Sequence, residues 1–149
     1  MNFPVGPVIS KGNVTYNITD VAGQLVSKSF NGYIIQSVRG DFIEEGALFF
    51  RDGEMIGCIV ECLAVEKTLK GNEALPFFMN QTKGNGFYQC VSLVRSQVDL
   101  ITAFDEKLLV NKIALKELPR LIPLVFSPKF ERSESKVDSL QNYGLGELK

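Results

Sequence analysis

Apolar and polar positions along this chain recur with two different periods, and the change of period marks its elements. From Thr19 onward, Ala22, Leu25, Val26 and Phe30 recur at three- and four-residue steps, which line one side of a helix. Asn17 or Thr19 can cap its start and Gly32 can end it. Tyr33 to Val38 reads as a strand, followed by Gly40 and an acidic connection with Asp41, Glu44 and Glu45. The strongest local pattern is Gly46 to Cys62, where two apolar runs flank Asp52-Gly53, a dipeptide suited to the positive φ angles of a type I′ turn. With those two residues as the loop, Arg51 faces Glu54, Phe50 faces Met55, Phe49 faces Ile56, Leu48 faces Gly57 and Ala47 faces Cys58. One face of the hairpin then carries Ala47, Phe49, Ile56, Cys58, Val60 and Cys62. The other carries Leu48, Phe50, Met55 and Ile59, with Glu61 at its end. Both faces are apolar, so both need covering: helices can take one, and another element or another chain must take the second.

After the hairpin, Ala64 to Lys70 fits either a loop or an irregular helix. A helix beginning near Asn72 follows, because Pro76 is tolerated only in a first turn. Lys83-Gly84-Asn85-Gly86 is a turn, and Phe87 to Val94 a further strand. Ser96 and Asp99 have capping-box spacing, which predicts a longer helix burying Leu100, Ile101, Phe104 and Leu108. Residues 1–16, punctuated by Pro4, Gly6, Pro7 and Gly12, read as a lead-in with a short extended piece around Val14 to Tyr16. Past Leu118, Pro119, Pro123 and Pro128 interrupt an apolar run whose Leu121, Ile122, Leu124, Val125 and Phe126 need a docking surface. Lys136 to Tyr143 can form a short helix. The expected architecture is α+β: one domain over residues 1–118, its antiparallel sheet built around a central hairpin and packed by helices. Residues 119–149 are a Pro-interrupted apolar segment and a polar, extended C-terminal tail.

Composition narrows the chemistry. A chain of 149 residues with 45% apolar content can bury a core without disulfides or metal. It has no histidine, the commonest metal ligand and the usual general base near neutral pH. Its odd set of three cysteines, with nothing resembling a secretory leader, predicts a reducing cytoplasm. Sixteen basic residues are scattered among seventeen acidic ones, so no field favours nucleic acid, and no apolar run approaches the roughly 20 residues of a membrane span. Cys58 and Cys62 lie roughly 13 Å apart on an extended strand, too far for a shared metal, and Cys90 alone does not complete a ligand set. No metal, cofactor or catalytic residue is therefore expected, and the cysteines read as core.

The acids Asp41, Glu44, Glu45, Asp52 and Glu54 read as solvated loop residues, with Arg51 and Glu54 as a cross-strand ion pair. Lys-Gly-Asn occurs at Lys11, Lys70 and Lys83, yet none of the three fits a phosphate-binding Walker pattern, and each reads as a turn. The aromatic pairs Phe49-Phe50, Phe77-Phe78 and Phe87-Tyr88 lack the interleaved basic residues of a base-stacking sheet and read as core.

Three motifs occur in order: Gly46-Ala47-Leu48-Phe49-Phe50-Arg51-Asp52-Gly53-Glu54-Met55-Ile56-Gly57, then Gly71-Asn72-Glu73-Ala74-Leu75, then Gly86-Phe87-Tyr88. This arrangement resembles an archaeal family of uncharacterised proteins and, more distantly, the PATAN-type domains attached to bacterial response regulators. What the resemblance implies is an interaction or regulatory module, with no catalytic residues to carry over. The expected function is thus a non-enzymatic interaction module that forms a homo-oligomer or binds another protein. Its expected interface is Leu48, Phe50, Met55 and Ile59, with Leu124 and Phe126 of the tail. The alternative is a sensor or carrier holding a small ligand between sheet and tail. A third class, an enzyme using Cys90 or the loop acids, would need a cleft that perturbs their pKa.

Overall fold

The computed structural model of the chain describes residues 1–15, 17–128 and 130. Its strands are β1 (Val8–Asn13), β2 (Gly32–Arg39), β3 (Ile43–Arg51), β4 (Glu54–Cys62), β5 (Lys67–Lys70) and β6 (Gly86–Ser92). Its α-helices are α1 (Ile18–Ser27), α2 (Leu75–Gln81), α3 (Arg95–Phe104) and α4 (Leu118–Leu121). The strands form one antiparallel sheet in the order β1-β6-β2-β3-β4-β5. The expected α+β architecture is what the chain adopts.

Local chemistry sets the element ends. Asn17 caps α1, its Oδ1 accepting from the Asp20 N–H at 3.2 Å. The helix closes where Ser29 takes a left-handed φ of 53° and the Phe30 N–H donates to the Leu25 carbonyl. At the hairpin tip Asp52 and Gly53 have φ of 49° and 83°, the positive pair the sequence predicts. Asn31 ties that tip down: its Oδ1 accepts from the Asp52 N–H at 2.9 Å.

The hairpin register departs from expectation one step past the turn. Arg51 faces Glu54 and Phe50 faces Met55, but an irregularity between Phe49 and Phe50 then pairs Phe49 with Gly57, Leu48 with Cys58 and Ala47 with Ile59. Ile56 is the extra residue of a bulge, and every β4 side chain beyond it changes face. Cys58, Val60 and Cys62 therefore join Leu48, Phe50 and Met55, while Ile59 joins Ala47 and Phe49.

Both faces are covered by this chain itself. On the first, Ala22 and Leu25 of α1, Phe78 and Met79 of α2, and Leu118 and Phe130 close over Ile34, Leu48, Phe50, Cys58 and Cys90. On the second, Val98 and Ile101 of α3, with Leu108 and Phe3, close over Tyr33, Ala47, Phe49, Ile59 and Val91. Each fully buried side chain of this size stabilises the fold by about 1.5–3 kcal/mol before conformational entropy is subtracted.

Other expectations give way to tertiary structure. The lead-in contains β1, an edge strand on β6, and the ambiguous stretch contains the edge strand β5. Lys11-Gly12-Asn13 accordingly lies in a strand, with Gly12 against the Tyr88 ring. Glu44 and Glu45 belong to β3, and Glu44 is buried. α3 starts at Arg95, and Gln97 rather than Ser96 serves its first turn by accepting from the Val94 N–H at 3.1 Å. That phase buries Val98 and Ile101 and turns Leu100 and Phe104 outward. Arg51 pairs with Asp99 at 3.0 Å instead of Glu54, whose carboxylate lies 4.0 Å from Lys112. The helix expected over Lys136 to Tyr143 lies outside the described residues.

Candidate functional site

The β2–β3 turn and the α2–β6 turn meet at one end of the sheet, joined by the Arg39 N–H donating to the Asn85 carbonyl at 2.8 Å. Gly86 passes so close to the Ser37 carbonyl that a Cβ would collide with it, so this crossing requires glycine. Around it lie adjoining hollows. One, of about 280 Å³, is lined by Ser37, Arg39, Ile43 and Phe87. The next, of about 390 Å³, shares Arg39 and Asn85 and adds Asp41, Lys83, Phe126 and Pro128. A third, of about 630 Å³, shares Lys83 and runs between the start of α1 and the C-terminal segment, with Ile122 and Leu124 on its wall.

The C-terminal segment reaches this end because it is anchored on both sides. Leu118 and Phe130 are buried in the first core cluster, and the Phe130 ring lies 5.0 Å from that of Phe77. Asn80 exchanges two hydrogen bonds with Ser127: Nδ2 donates to its carbonyl at 2.7 Å, and Oδ1 accepts from its N–H at 2.9 Å. Asn80 is buried, so the exchange satisfies both ends of an amide that would otherwise lose its water. Between the anchors, Leu124 is 95% exposed and Phe126 lies against Gly84.

Beneath the same region runs a buried polar chain. Gln36 Nε2 donates to the Phe78 carbonyl at 2.9 Å and to Gln81 Oε1 at 3.1 Å, and Gln81 Nε2 donates to Glu44 Oε1 at 3.3 Å. It ties β2 and β3 to α2. Sequence reading missed it, although Gln36 alternates with Ile34 and Val38 on the core side of β2.

Of the six expected interface residues, Leu48 and Phe50 are fully buried and Met55 and Ile59 are 5% and 7% exposed, all beneath this chain's own helices. Leu124 and Phe126 lie on the C-terminal segment away from those four, Leu124 lining the hollow at the start of α1 and Phe126 the one beside Arg39. The apolar surface offered there is instead Ile43 and Phe87, each 60% exposed. Phe87 had been expected in the core. Its strand neighbour on the same face, Gln89, was the signal that this side of β6 is only partly covered. Arg39, Asp41 and Lys83 rim the surface, and among the described residues none of the three is in an ion pair.

The three cysteines are buried, and none of them forms a disulfide among the described residues. Burial raises the Cys58 thiol pKa and pushes that of Cys90 up to about 11, which keeps both in the thiol form. Among the described residues no group of three or more histidine, cysteine or carboxylate side chains could hold a metal ion, and no helix is long and apolar enough to cross a membrane.

No curated protein and no solved structure matches the chain. The model of a family described as uncharacterized proteins conserved in archaea (DUF2226) matches residues 1–105, and the chain belongs to that family.

Proposed function

We propose that this domain is a non-enzymatic interaction module that self-associates through the open end of its sheet, with Ile43, Phe87, Leu124 and Phe126 as the apolar contacts. The observation that carries this reading is the pairing of Ile43 and Phe87, each exposed on the second sheet face, around a hollow that adjoins the one lined by Phe126, Arg39 and Asp41, the last two in no ion pair among the described residues. A two-fold interface presents one patch to itself, so a patch bearing both charge signs is self-complementary: Arg39 of one copy can meet Asp41 of the other.

Light scattering on the full chain tests this. A dimer at high micromolar concentration is expected, with Phe87→Glu monomeric. Arg39→Asp should weaken the dimer, and the charge swap Arg39→Asp with Asp41→Arg should restore it. A monomeric native chain overturns the reading, as does a dimer indifferent to Phe87→Glu.

The groove of about 630 Å³ along residues 119–124 favours a second reading, a small-molecule site between α1 and the C-terminal segment. Native mass spectrometry showing a bound small molecule that is lost in Ile122→Lys would favour it over self-association.

A further inference from the structure

Two Asn-Gly steps occur in the chain, Asn31-Gly32 at the start of β2 and Asn85-Gly86 at the start of β6. Close packing demands the glycine at both, since a Cβ on Gly32 would collide with the Val91 carbonyl and one on Gly86 with the Ser37 carbonyl. Each asparagine is thus followed by a backbone nitrogen that no neighbouring side chain shields. Such a nitrogen can attack the asparagine side chain wherever that side chain is free to fold back over its own peptide.

The fold treats the two steps differently. Asn31 is pinned at the hairpin tip: its Oδ1 accepts from the Asp52 N–H at 2.9 Å, its Nδ2 donates to Asp52 Oδ1 at 3.3 Å, and its carbonyl accepts from the Leu93 N–H at 2.9 Å. Gly32 is buried between its register partners Phe50 of β3 and Ser92 of β6. Asn85 is exposed on the α2–β6 turn. Its carbonyl accepts from the Arg39 N–H, but its side chain makes no hydrogen bond among the described residues. It lines the hollow of about 390 Å³ with Arg39, Asp41 and Lys83, where the two cations outnumber the carboxylate. A rim of that sign favours both an anionic attacking nitrogen and an anionic product.

We propose that Asn85 is a site of spontaneous deamidation, and that the fold protects Asn31, which has the same following glycine, from the same reaction. The Gly86 nitrogen gives its proton to solvent base and bonds to the Asn85 Cγ; the Cγ–Nδ2 bond breaks and ammonia departs. Solvent water then opens the five-membered imide, at Cγ to give aspartate or at the main-chain carbonyl to give isoaspartate. Either product places a new carboxylate in the hollow with Arg39 and Lys83. Isoaspartate also adds a methylene to the main chain at the residue whose carbonyl holds Arg39. The modification does not depend on the self-association proposed above.

Mass spectrometry of the full chain reads both sites at once. Cleavage after Lys28, Arg39, Lys83 and Arg95 puts Asn31 and Asn85 on separate peptides. The folded chain and the chain held in guanidinium chloride are incubated side by side at mildly alkaline pH in heavy-oxygen water, which enters the new carboxylate and separates it by mass from the amide. In the folded chain more than half of the Asn85 peptide is expected to convert before the Asn31 peptide changes, and in denaturant the two should convert at similar rates. Asn85→Gln, which lacks the five-membered route, should abolish conversion of its peptide. The proposal is overturned if Asn85 keeps its amide in the folded chain over the time in which denaturant converts both. It is overturned equally if Asn31 converts in the folded chain as fast as Asn85, or if the preference for Asn85 persists in denaturant.

Discussion

Gln81 shows how much one side chain is asked to do inside this sheet. It is completely buried, accepts from Gln36 and donates to Glu44, so its amide joins two strands to the end of α2. Gly46 makes the room, since a Cβ there would collide with Gln81 Oε1. Replacing the amide by an apolar group of similar size keeps the volume but removes two hydrogen bonds to groups that stay buried. Desolvation without that compensation governs the cost. Gln81→Leu should therefore destabilise the fold by about 1–3 kcal/mol, read as a lowered urea midpoint at unchanged m-value. A variant as stable as the native chain would show that water or neighbouring groups replace the amide without loss.

The hairpin β3–β4 is the element on which sequence and structure agree most closely, and also the one on which they part. Gly53 has a φ of 83°, and an added Cβ would sit 2.8 Å from the Val26 carbonyl of α1. Gly53→Ala thus combines a left-handed backbone with a steric clash and should cost about 1–3 kcal/mol in urea unfolding. The turn was legible because Asp-Gly satisfies a local backbone demand. The bulge at Ile56 was not, because an extra residue in one strand answers to the packing of both faces and leaves no mark in an unbroken apolar run. That one-residue shift carried Ile59 to the opposite face from Leu48, Phe50 and Met55, so the four do not share one surface. The edge strands β1 and β5 were hidden for a related reason: β1 is largely exposed and β5 only partly buried, so pairing with β6 and β4 is written in backbone hydrogen bonds instead of hydrophobic alternation. Leu124 and Phe126 were legible as apolar residues in need of a place, while the exposed surface around Ile43 and Phe87 depended on which half of the second face α3 and the first seven residues leave uncovered.

At the scale of the whole molecule, the ionisable groups held in unusual states set how stability varies with pH. The buried thiols set the alkaline side. The unfolded chain releases thiol protons from about pH 9, whereas buried Cys90 holds its proton to about 11 and Cys58 longer. Unfolding is thus favoured increasingly over that interval. On the acid side, the hydrogen bond from Lys70 keeps Asp105 below the usual carboxylate range despite some desolvation, so its contribution is present above that range and lost as pH falls through the lowered value. The urea midpoint should therefore be flat between about pH 5 and 8 and decline on both sides. Cys90→Ala should shrink the alkaline decline. An alkaline limb unchanged by that substitution would mean that the Cys90 thiol is not linked to folding.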